Sequence, residues 1–138
     1  MEGRTSLPVA LLAEDDPQSA AAWTGVLRLN GWEVVWAPDG AAALLLARQA
    51  RPDLLITDFD MPKMDGLSLC LAFRTDSALA NVPIILASAN PSAVEKNATA
   101  HDSFLQKPVN AFTLLAAIAA ITIPRRPPDV TGSKSEPV

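Results

Sequence analysis

Asp58 stands where an apolar run stops: Leu54-Leu55-Ile56-Thr57 leads into Asp58-Phe59-Asp60-Met61-Pro62-Lys63-Met64-Asp65-Gly66. A short apolar run bounded by Pro52 and by a loop holding Pro62 and Gly66 reads as a buried strand of a parallel sheet. The carboxylate then sits at the carboxyl end of a strand, where open α/β sheets carry their ligand sites. Three further strand ends offer polar groups. Val9-Ala10-Leu11-Leu12-Ala13 ends in Glu14-Asp15-Asp16, the run from Val82 to Ala87 ends in Ser88, and Ser103-Phe104-Leu105-Gln106 ends in Lys107-Pro108. Carboxylates, a hydroxyl and an ammonium converging on one edge make a site for a divalent cation and a phosphoryl group. Helix capping alone explains one acid of the Glu14-Asp15-Asp16 triplet and not three, because crowded like charges repel unless something compensates them.

The elements that must position these residues alternate along the chain. Asp16-Pro17 places a capping carboxylate before a proline at the first helical position. That helix runs to about Leu29, with Asn30-Gly31 as its stop. Trp32 to Ala37 is a second strand, Asp39 caps a helix of Ala41 to Ala50, and Pro52 prevents its continuation. The third strand ends at Thr57, and Gly66 opens a helix of about Leu67 to Arg74. A fourth strand lies around Pro83, a short fourth helix starts near Pro91-Ser92, and Asn110 caps a last helix from Ala111 to Ile121. Strict alternation predicts an α/β fold, a parallel sheet with helices on both faces. Residues 124–138 form a proline-rich tail, starting Pro124-Arg125-Arg126-Pro127-Pro128, for which no fixed structure is expected.

Bulk properties narrow the function classes. A length of 138 residues with 49% hydrophobic content fits one domain with a real core. No apolar stretch approaches the ~20 residues of a membrane span, and the start, Met1 to Ser6, lacks the apolar segment of a signal peptide. A cytoplasmic protein with no membrane partner is expected. Cys70 is the single cysteine, which excludes an internal disulfide and a thiolate zinc cage; on an apolar helical stretch it reads as buried filler. A net charge of −4 argues against a nucleic-acid partner. Trp23, Trp32 and Trp36 are not spaced as a ligand cage, and His101, the one histidine, has no companions for a metal site.

Taken in order, Glu14-Asp15-Asp16, Asp58 with Met61-Pro62-Lys63-Met64-Asp65-Gly66, Ser88-Ala89 and Phe104 with Lys107-Pro108 resemble a response-regulator receiver domain, the phosphoacceptor half of a two-component signalling pair. The resemblance covers residues 7–123 and implies a flavodoxin-like, doubly wound sheet of five strands in the order 2-1-3-4-5 with five helices. It makes Asp58 the phosphoacceptor and Mg²⁺ the cofactor, with Asp15 and Asp58 as direct ligands, Glu14 acting through water and Asp60 through its backbone carbonyl. Lys107 and Ser88 would contact the phosphoryl oxygens, and Ser88 with Phe104 would form the switch. The acid pair set by the strand is Glu14-Asp15, with Asp16 as cap; a register one residue later would make it Asp15-Asp16. A histidine kinase or phosphotransfer protein is the implied donor. The implied output face is the fourth helix, fifth strand and fifth helix, and no output domain follows, so a stand-alone regulator that is not an enzyme is expected.

Two other readings compete. Asp58-Phe59-Asp60 imitates the Asp-x-Asp nucleophile of haloacid-dehalogenase-type phosphatases, but Pro62 stands where that family has Thr or Val, and the motif ends the third strand instead of the first. A degenerate receiver serving as a constitutive interaction module is the other. The short segment between Ser88 and Lys107 favours it, and the chemically competent site residues oppose it.

Overall fold

The computed structural model describes residues 6–90 and 100–122. The strands are β1 (Val9–Ala13), β2 (Glu33–Ala37), β3 (Leu54–Asp58), β4 (Ile84–Ser88) and β5 (Ser103–Gln106), all parallel, in the order β2-β1-β3-β4-β5. The helices are α1 (Pro17–Leu29), α2 (Gly40–Ala50), α3 (Gly66–Thr75) and, last in the chain, α4 (Ala111–Ile121). The order is the expected one. The helix expected from Pro91-Ser92, and with it one part of the expected output face, lies outside the described residues, as does the tail. Four of the five expected helices are therefore described.

Period-2 alternation divides the strands between two apolar layers. Leu11, Ala13, Leu55, Ile84 and Leu86 face α2 and α3, where Ala43, Ala47, Leu69, Cys70 and Phe73 are fully buried. Ala10, Leu12, Leu54, Ile56, Ile85 and Leu105 face α1 and α4, meeting Ala20, Leu27, Leu114 and Ile118. Burial pushes the Cys70 thiol up to about 12, so it packs as a neutral side chain.

Each of the four described helices starts at the carboxyl edge of the sheet, and each carries a side-chain cap of the same kind. Asp16, Asp39, Asp65 and Asn110 accept hydrogen bonds from the backbone N–H groups of Ser19, Ala42, Ser68 and Thr113 respectively. None of the four described helices has an acid in its first turn, while α1, α2 and α3 each place one arginine (Arg28, Arg48, Arg74) in the last turn. Those arginines complement the negative, C-terminal end of the helix dipole. Boundaries differ from the sequence reading by a residue or so. The main difference is at β3, which includes Asp58, because Asp58 still pairs with Ala87 and the Phe59 N–H donates to the Ala87 carbonyl. At the end of α2, Arg51 takes a left-handed conformation (φ 50°) that Pro52 alone did not reveal.

At the opposite edge of the sheet a single guanidinium ties three stretches of chain. Arg74 donates to the carbonyls of Ala100 (2.8 Å), Ala80 (2.9 Å) and Val82 (2.8 Å) and to the Asp102 carboxylate (2.8 Å). Asp102 in turn accepts from the Ile84 N–H at 2.8 Å, so the starts of β4 and β5 are fixed together.

Candidate functional site

Because all five strands are parallel, their carboxyl ends place Glu14, Asp58, Ser88 and Lys107 along one edge. Lys107 is their common partner. Its Nζ lies 2.9 Å from Asp58 Oδ1 and 3.2 Å from Glu14 Oε1. The lysine backbone is set by the sheet, since its N–H donates to the Ser88 carbonyl at 2.9 Å. The carboxylates of Glu14, Asp15 and Asp58 can each bring one oxygen within 4.8 Å of the others. Glu14 and Asp58 are buried and Asp15 is exposed. Asp16 stands apart as the α1 cap, accepting from the Ser19 N–H (3.0 Å) and hydroxyl (2.7 Å), which hold its carboxyl below the usual range.

Burial dominates the electrostatics. It raises Glu14, against the lowering effect of the Asp16 N–H and of Lys107, and it raises Asp58 despite the lysine beside it. Burial alone would lower Lys107, but the hydrogen bond and charge of Asp58, then the charge of Glu14, outweigh it and the ammonium is raised. Two carboxylates thus share one cation and remain under-compensated, a condition that favours a second cation. Three carboxylates with no nitrogen or sulfur donor among them fit a hard ion such as Mg²⁺.

The remaining expected residues occupy supporting positions. Ser88 is fully buried, and its Oγ accepts from the Asn90 N–H at 3.0 Å. The Asp60 carboxylate is exposed and outside the three-acid cluster; its charge raises Asp58. Phe104 is half-buried against the α2–α3 layer, edge-on to His101 with ring centroids 6.4 Å apart. Among the described residues His101 Nδ1 is buried with no hydrogen-bond partner, and burial lowers its pKa.

Gly66 explains how close α3 comes to the site. A Cβ there would collide with the carbonyl of Asp58, and the Gly66 N–H donates to the Phe59 carbonyl at 2.8 Å. Gly25, on the exposed side of α1, has nothing within 4 Å. Gly66→Ala is therefore expected to cost roughly 1–3 kcal/mol, whereas Gly25→Ala should stabilise by about 0.5–1 kcal/mol. Urea unfolding of both variants checks the contrast; equal effects would mean that α3 is not pinned on Asp58.

Three contacts were not foreseen from the sequence: Lys107 with Glu14, the Arg74 tie, and the Trp36 indole, whose Nε1–H donates to the Glu14 carbonyl at 2.8 Å. Glu14 and Lys107 are 93 residues apart, a separation no local pattern encodes. A cavity of about 380 Å³ opens beside Glu14 and Lys107, walled by Trp23, Pro108 and Val109.

Comparison with known proteins follows the same lines. The sequence model described as "Response regulator receiver domain" matches residues 10–119. The transcriptional regulatory protein PrrA of Mycobacterium tuberculosis is 35% identical over an alignment covering 100% of this chain and 59% of its own length. The DNA-binding response regulator MtrA of Mycolicibacterium smegmatis is 34% identical over 80% of this chain and 48% of its own. The chain thus spans about half of the length of these curated relatives. Among solved structures, the chemotaxis protein CheY4 of Vibrio cholerae superposes with a TM-score of 0.78 at 28% identity, covering 84% of this chain and 99% of that one. The receiver domain of the sensor histidine kinase PA1611 from Pseudomonas aeruginosa, with a magnesium ion coordinated in its active-site cleft, gives 0.79 at 28% identity, covering 85% and 98%. No helix among the described residues is long and apolar enough to cross a membrane. With matching motifs, strand order and a family model that takes in most of its length, this chain belongs to the response regulator receiver domain family.

Proposed function

We propose that this receiver accepts a phosphoryl group on Asp58 from a histidine kinase or phosphotransfer protein in a Mg²⁺-dependent reaction, and thereby switches an interaction surface. The observation that carries the reading is the shared cation: Lys107 bridges Glu14 and Asp58, and both carboxylates remain raised by burial. Asp15 and Asp58 would ligate Mg²⁺ directly, Glu14 through water and Asp60 through its carbonyl. The ion supplies charge neutralisation between an anionic nucleophile and an anionic phosphoryl group.

The chain's own residues do the rest. An Asp58 carboxylate oxygen attacks phosphorus, forming the acyl phosphate as the phosphorus–nitrogen bond to the donor imidazole breaks. The released imidazole keeps the bonding electron pair and takes a proton from solvent. Lys107 exchanges its contact with Asp58 for a phosphoryl oxygen, and Ser88 Oγ, now an acceptor for the Asn90 N–H, donates to another. Ser88 would thereby bias the residues that follow it, and Phe104, half-buried on the α2–α3 side, would respond. The cavity walled by Trp23, Pro108 and Val109 offers a donor side chain a route to Lys107.

Mg²⁺ should raise the melting temperature of the wild type, because only the folded state assembles the three acids, and Asp15→Ala should remove most of that gain. Acetyl phosphate with Mg²⁺ should add one phosphoryl mass, and chelation should abolish it. A melting temperature indifferent to Mg²⁺, with no mass change, would overturn the reading.

A further inference from the structure

Asp15 is the ligand with no support of its own. It is exposed, and among the described residues its carboxylate makes no hydrogen bond or ion pair. Glu14 and Asp58, by contrast, are buried and tied to Lys107. The position of Asp15 therefore depends on the main chain on either side of it. After it, Asp16 is fixed twice: its N–H donates to Glu14 Oε2 at 3.1 Å, and its carboxylate caps α1. Before it, the Glu14 N–H donates to the Ala37 carbonyl at 3.0 Å, and the Glu14 carbonyl accepts from the Trp36 indole at 2.8 Å.

That last bond is unlike the others, because it is a side chain of another strand gripping the peptide that joins Glu14 to Asp15. Trp36 lies opposite Leu12 in the β1–β2 ladder, on the edge strand, and remains 42% exposed. Much of its ring is thus not used to fill the core, while its one polar atom is aimed at the acid pair. An indole N–H is a donor only, so the contact fixes the direction of the Glu14 carbonyl. Fixing that carbonyl fixes the plane of the peptide from which Asp15 departs.

We propose that Trp36 is a positioning residue for the metal site, holding the Glu14–Asp15 peptide so that the Asp15 carboxylate faces Asp58. The inference rests on the divalent-cation site proposed above and adds a residue that touches neither the ion nor the phosphoryl group. Loss of partners that orient metal ligands typically weakens binding by about tenfold or more.

The test is Mg²⁺ titration of the full chain by calorimetry, well below the melting temperature. Trp36→Phe keeps an aromatic ring and removes the N–H. It should weaken Mg²⁺ about tenfold and quicken amide exchange at Asp15 and Asp16, with an unchanged far-ultraviolet spectrum. Trp32→Phe is the control, since Trp32 packs against the α1–α4 layer; it should bind as the wild type does. Wild-type affinity in Trp36→Phe, or equal weakening in both variants, would overturn the proposal. Failure of the wild type itself to bind Mg²⁺ would instead overturn the metal site on which the proposal stands.

Discussion

Asp58→Asn is expected to abolish phosphoryl uptake completely while raising the stability of the metal-free protein at neutral pH. Loss of uptake follows because an amide has no carboxylate oxygen to attack phosphorus. The stability gain follows from linkage. Burial raises Asp58 above its ordinary value in spite of Lys107, so the folded state binds that proton more tightly than the unfolded state does. The contribution of such a group to stability is fully present below the unfolded carboxylate value and is lost as pH rises through the raised folded value. Asparagine, neutral at every pH, keeps what the ionised aspartate forfeits. The advantage of Asp58→Asn should thus be largest at neutral pH and vanish below about pH 4, where aspartic acid is itself uncharged. Thermal melts across that range, with phosphoryl labelling read by mass, check both halves. A variant less stable than wild type at pH 7, or one that still labels, would overturn them.

Lys107→Ala should act in the opposite direction and more strongly on folding. The ammonium is the one cation within salt-bridge distance of both Asp58 and Glu14 among the described residues, at 2.9 and 3.2 Å. Removing it leaves two buried carboxylates facing each other, and breaking such a pair costs about 3–5 kcal/mol when burial is complete. Lys107 is partly exposed at 26%, so about 3 kcal/mol is the expected loss at pH 7. Without their lysine both acids should rise further, so the deficit should shrink steadily as pH falls and they protonate. Mg²⁺ should restore part of it by standing in for the missing charge. Urea titrations at pH 7 and pH 5, with and without Mg²⁺, would show this. A deficit independent of both would mean that Lys107 supports the fold by its alkyl stem alone.

The fold was legible in the sequence because its signals are local. Asp16-Pro17, Asp39 and Asn110 announced helix starts, and apolar runs ending in Asp58, Ser88 and Lys107 announced strand ends. Placing those residues on one edge needed only the parallel order. What stayed hidden depends on distance through space. That Lys107 serves Glu14 as well as Asp58, and that Trp36 reaches across to Glu14, is decided by side-chain direction at the end of a twisted sheet. The spacing of Trp36 showed only that it belongs to no ligand cage, since a donor-only indole gives no sequence sign of its acceptor. Arg74 stood at the expected end of a helix, and the four acceptors converging on it come from two separate stretches, 80–82 and 100–102. His101, without companions for a metal, turned out to lean on Phe104 instead.

The Arg74 tie has a consequence for anyone rebuilding this molecule. The chemistry lies at the carboxyl edge, whereas the spacing of β4 and β5 is fastened at the amino edge by a planar fork reaching four acceptors. Reprogramming the acidic end by altering its ligands or grafting another loop leaves that fastening in place. A lysine at position 74, with a compact charge and no fork, would not replace it. Arg74 is thus a natural fixed point from which variant libraries of the opposite edge can be built.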